Sequence, residues 1–136
     1  MEYTHNAIYT YIESKVLEAY PNVYVSSVYE PVVPHFPVVF VRELSSQHNQ
    51  ANVTMSGVQG VRTSTYEVQV QSNDRTAPMS EAYAIFDVVT NAFVELYYIL
   101  DNTNVLEDGS DGLFRLRASF RKVIGVADQM PSINGD

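Results

Sequence analysis

With 136 residues, 46% of them hydrophobic, the chain has the size of one compact domain with enough apolar content to bury a core without covalent staples. Sixteen acidic residues against eight basic ones give a net charge of −8, which argues against a general nucleic-acid binder, because gripping phosphates needs a basic footprint. The absence of cysteine excludes disulfides and thiolate metal sites and fits synthesis in a reducing compartment. No apolar run is long enough to span a bilayer, and the opening MEYTHNAIY lacks the basic-then-apolar pattern of a signal peptide.

Residues 3–19 read as a helix, with Ile8, Ile12, Val16 and Ala19 on one stripe and Thr4 or Asn6 available as a cap. Pro21 and Asn22 end it. Val23–Tyr29, rich in Val and Tyr, reads as a strand. Residues 30–37 carry three prolines, which remove donors and fix φ, so they form an extended connection rather than a ladder strand. Val38–Val41 is wholly apolar, the pattern of a strand covered on both faces. Residues 45–64 are polar, hold two glycines and show no period, so the spacing predicts a long loop. Loops of that length inside a compact domain are either functional or slack, and His48, Asn49, Met55, Val58 and Arg62 are its docking candidates.

Tyr66, Val68 and Val70 then alternate with Glu67, Gln69 and Gln71, a period of two that makes one strand face apolar and the other wet. Ser72–Arg75 is a turn, Thr76 is the expected cap and Pro78 suits a first helical turn. Ala82, Ile85, Phe86, Val89, Phe93, Leu96 and Leu100 recur at helical steps and predict a long amphipathic helix. Asp101–Gly112 reads as a turn-rich acidic loop. In the last segment, Phe114, Leu116, Ala118 and Phe120 face one way and Arg115, Arg117, Ser119 and Arg121 the other. The expected order is α-β-β-β-α-β. That is an α+β domain over residues 1–125, with an antiparallel or mixed four-stranded sheet, both helices on one face, and residues 126–136 as a tail.

Three arginines two residues apart on one strand repel unless carboxylates answer them. Glu67 on a neighbouring strand could do so, or the carboxylates of another copy of this acidic chain. Tyr83 and Tyr97 lie off the main stripe of the second helix, so that helix has a second side to cover, and another subunit is one candidate for it. Residues 107–112 are acidic and glycine-containing but lack the register of a calcium loop. His5, His35 and His48 have no zinc-ligand spacing, and no nucleophile elbow or phosphate-cradling glycine loop is present. No metal, cofactor or catalytic set is expected, and the chain reads as a structural protein rather than an enzyme.

The segments Phe36–Arg42, Tyr66–Asn73 with the helix after it, and Leu113–Ile124 resemble the small tail-terminator, or tail-to-head joining, proteins of long-tailed bacteriophages. Such proteins are also described as minor capsid or tail-completion proteins. The resemblance runs over roughly residues 3–124, its motifs are patterns rather than invariant signatures, and residues 45–64 match least. It implies a virion protein, made in the host cytoplasm, that forms a homo-oligomeric ring, typically a hexamer. The ring caps the tail-tube protein, stops tube growth and meets the head connector or stopper, while genomic DNA passes through the lumen without specific binding and no membrane is involved. On that reading Arg115, Arg117, Arg121, Glu67, Tyr83 and Tyr97 are the subunit-interface candidates. Another neck or head-completion protein, and a small-molecule-binding α+β domain, are the competing readings.

Overall fold

A computed structural model describes residues 2–48, 61–125 and 128–131. Seven elements follow in order: α1 (His5–Ala19), β1 (Tyr24–Ser26), β2 (Val38–His48), β3 (Val61–Ser72), α2 (Pro78–Glu95), β4 (Ile99–Asp108) and β5 (Phe114–Gly125). The fold class is α+β, as the alternation of patterns implies. The sheet, however, has five strands in the order β1-β2-β3-β5-β4, and it is mixed: β1 runs parallel to β2 and every other pair is antiparallel.

Thr4 caps α1, its hydroxyl accepting from the Ala7 N–H at 3.1 Å. The helix buries Ile8, Tyr11, Ile12 and Val16. At the start of α2 the N-cap is Ala77, not Thr76, and no side chain caps the helix, although the turn ahead of it is closed by Asp74. The Asp74 carboxylate accepts from the N–H groups of Thr76 at 3.2 Å and Ala77 at 2.7 Å, and Pro78 opens the helix, where its missing N–H removes nothing. The helix stops at Glu95, so Leu100 lies beyond it in β4. Tyr97 there takes a left-handed φ of 68°, the Tyr98 N–H returns to the Phe93 carbonyl at 2.9 Å and the Tyr97 N–H to Val94 at 2.9 Å. That is a Schellman ending built on a tyrosine instead of the usual glycine.

Both expected loops contain strand. Residues 45–48 and 61–64 continue the β2–β3 ladder, pairing Ser45 with Thr65 and His48 with Arg62, after a register shift between Glu43 and Ser45. Of the expected loop, only residues 49–60 fall outside the described structure, and with them Asn49, Met55 and Val58. The acidic stretch 101–112 was expected to be a turn, yet most of it is β4, held in register against β5 from Ile99↔Arg121 to Asp108↔Phe114. Its asparagines and acids disfavour strand, and its apolar residues do not alternate. The β5 ladder supplies the order that local sequence lacks.

One face of the sheet carries the core. Val39 and Val41, Tyr66, Val68 and Val70, and Phe114, Leu116, Ala118 and Phe120 are buried with the apolar stripes of both helices in a single cluster. Phe93 stacks on Phe120 at a centroid distance of 4.4 Å, with Tyr66 tilted against Phe93 at 5.6 Å and Tyr98 edge-on to it at 5.3 Å. Met130, beyond β5, is buried in the same cluster. Among the described residues no helix is long and apolar enough to cross a membrane.

Candidate functional site: an arginine-bearing sheet face

Apart from Val38 and Phe40 at the start of β2, which are buried, with Tyr29 against Phe40, the face of the sheet opposite the helices is polar, because the alternation that buries one set of side chains turns the other set outward. Arg42 of β2, Glu67 and Gln69 of β3, and Arg115, Arg117 and Arg121 of β5 share it. Arg42 grips Glu67 Oε1 through Nη2 at 3.0 Å and Nε at 3.3 Å. Arg115 meets Glu107 at 3.6 Å and Arg121 meets Asp101 at 3.9 Å, both across to β4. Glu67 therefore answers β2 rather than the β5 arginines, and β4, unforeseen as a strand, supplies the carboxylates for two of them.

Arg117 is left. Its register neighbours are Gln69 and Asn104, both neutral, and it has no ion pair among the described residues. It lines a depression of about 190 Å³ together with Leu44, Glu67, Asn102, Asn104 and Ser119. Gln69 Oε1 and Arg115 Nε, on the same face, are buried without a hydrogen-bond partner in the described structure. Four guanidiniums against three carboxylates leave this face weakly cationic on an otherwise acidic protein.

The two tyrosines proposed as interface residues lie elsewhere. Tyr83 projects from α2 and packs against Phe114 at 5.6 Å and Phe86 at 6.5 Å, half-exposed at the border of the helix layer. Tyr97 is 66% exposed just after α2, with the Lys122 ammonium 5.7 Å from its ring centroid. The arginines and the tyrosines thus form two separate surfaces. Of the docking candidates, Arg62 lies on β3, donates to the Tyr3 carbonyl and faces the N-terminal turn, while His48 ends β2.

A polar group escaped sequence reasoning. Ser64, fully buried, lies 2.8 Å from the Tyr98 phenol and donates to Glu43 Oε2 at 3.2 Å, and the Tyr66 phenol sits 2.7 Å from His5 Nδ1. Burial pushes Tyr98 up to about 12, and it raises Tyr66 further, with Glu43 adding to the rise. These phenols are neutral hydrogen-bonding groups, not bases. Only the recognition of 61–64 as strand would have placed Ser64 beside them.

A groove of about 690 Å³ runs between the end of α1, the residues around Pro37 and the start of α2. Its carboxylates are engaged: Asp74 by the Thr76 and Ala77 N–H groups in the turn ahead of α2, and Glu81 by the Ser72 hydroxyl at 2.7 Å. No histidine, lysine or arginine lines it. Among the described residues no group of His, Asp and Glu is placed to hold a metal ion. The architecture defines an α+β protein whose most distinctive surface is a row of arginines across one sheet face. No protein-family model matches this chain, and no curated protein matches it either.

Proposed function

We propose that this is a structural assembly protein, not an enzyme: a tail terminator of a long-tailed bacteriophage. Copies close into a ring, in the expected hexameric form, that caps the tail tube, ends its polymerisation and receives the head connector. The observation that carries the proposal is Arg117, a cation in the middle of an open sheet face whose three neighbours of like charge are each matched to a carboxylate. A guanidinium left over within the chain is available to a carboxylate of a second copy, and the acidic body offers many. The resemblance of three segments to such proteins supplies the specific role, and the order of elements in the fold is compatible with it.

The test is purification followed by light scattering and negative-stain imaging, alone and with tail-tube protein. Rings, or rings that form on tube ends, are expected. A strict monomer that joins neither tubes nor connectors would overturn the proposal. Pull-down by connector subunits but not tail-tube subunits would move the protein one layer toward the head, as a head-completion protein.

A further inference from the structure

Among the described residues the sheet has two open edges. On one side β1 pairs only with Val38–Phe40, so among the described residues β2 from Val41 to His48 has a backbone partner in β3 alone. On the other side, among the described residues, β4 pairs only with β5 along Ile99–Asp108. Neither edge is guarded by proline or lysine, the common devices against edge pairing, though each carries a register shift. Nine of the ten residues of β4 are exposed, including Ile99, Leu100, Val105 and Leu106, and Leu44 on β2 is 50% exposed.

We infer that these two edges pair with each other between copies, β4 of one subunit against the open half of β2 of the next. The inference rests on the ring proposed above and specifies its seam. Both halves of the seam sit on one molecule at opposite ends of one sheet, so head-to-tail addition satisfies each edge once per subunit, as a closing ring requires. Strands β2, β3, β5 and β4 alternate in direction, so a rotation that extends the sheet sets β4 antiparallel to the neighbouring β2. Charge selects this pairing over the two-fold alternative. β4 holds Asp101, Glu107 and Asp108 and no basic residue, so β4 against a second β4 stacks acid on acid, whereas the open half of β2 balances its one acid, Glu43, with Arg42 and is formally neutral.

The chain has no cysteine, so introduced pairs report cleanly. Leu44→Cys is combined in turn with Asn102→Cys, Asn104→Cys and Leu106→Cys, and the assembled full chain is oxidised. At least one pair is expected to give a covalent ladder that ends at the ring number, while the single variants give none. Dimers from Asn104→Cys alone would mean two-fold pairing and overturn the seam. Imaged rings with no cross-link in any pair would overturn the seam and leave the ring standing. Ladders from a protein that ignores both tail-tube and connector subunits would keep the seam and overturn the terminator role. Covalent capture of tail-tube protein by the β4 cysteines, in place of a second copy, would overturn the seam as well. Independently, Leu106→Lys, an exposed edge change, is expected to abolish assembly with the melting temperature of the monomer unchanged, and unimpaired assembly of that variant would refute the pairing.

Discussion

Arg42 holds Glu67 through two of its nitrogens, at 3.0 and 3.3 Å, and thereby takes the carboxylate that lies diagonally across the ladder from Arg117. The β5 row is consequently not three equivalent arginines. Two are matched to β4 and one is not.

That inequality makes Arg117→Glu the informative substitution. Removing a partly exposed arginine without an ion pair should change the stability of the folded monomer by less than about 1 kcal/mol. Ring assembly should suffer far more, read as loss of the high-mass species in light scattering. If the melting temperature falls while assembly is intact, Arg117 serves the fold alone.

Replacing residues 49–60 by a short turn should leave the fold intact, because the β2–β3 ladder from Val38↔Gln71 to His48↔Arg62 lies outside the deletion. Loop length itself matters little, each halving being worth only about 0.6 kcal/mol. Attachment to tail-tube protein in a pull-down should be impaired. A deletion that also takes 61–64 should unfold the protein further, since it removes the buried Ser64 between Glu43 and Tyr98. Full attachment by the shorter deletion would show the segment to be dispensable.

Tyr97 sits in the left-handed region, where a side chain is disfavoured by about 1–2 kcal/mol and glycine is not. Tyr97→Gly gives up only an exposed ring near Lys122, so urea denaturation should report a gain of roughly 0.5–1 kcal/mol. A strained residue that a simple change would relieve points to work outside the fold. The same variant should therefore assemble less well, and a stabilised variant with undiminished assembly would remove Tyr97 from the interface.

Alkaline pH should destabilise the protein through its buried phenols. Burial pushes Tyr98 and Tyr3 up to about 12 in the fold, from an unfolded value of 10.0, with Asp128 adding to the rise at Tyr3. The folded state thus keeps protons that the unfolded chain releases. Their contribution is complete below pH 10 and is lost as pH rises from there toward 12. Tyr98→Phe should flatten this decline while lowering stability at neutral pH by about 1 kcal/mol, for the lost Ser64 hydrogen bond. Melting temperatures across pH 7 to 12 check both signs.

The helices and the central strands were legible because their signals are local. The stripe from Ala82 to Phe93, and the alternation of Tyr66, Val68 and Val70 and of Phe114 to Phe120, are periodicities that burial on one face imposes directly. β4 was not legible, because an edge strand outside the helix layer has no buried face and so no period to show. The ends of β2 and β3 were hidden for a related reason: their polar residues read as loop until the ladder pairs them.

The sequence by itself determined the α+β class, the two amphipathic helices and a strand face bearing three arginines, since each follows from side-chain spacing along a single segment. Only the tertiary structure decided which of those arginines is neutralised, because that depends on strand order. Placing β5 between β3 and β4 brings Glu107 and Asp101 to Arg115 and Arg121 and sets neutral side chains on both sides of Arg117. Strand order is a property of long-range pairing, and no single segment carries it.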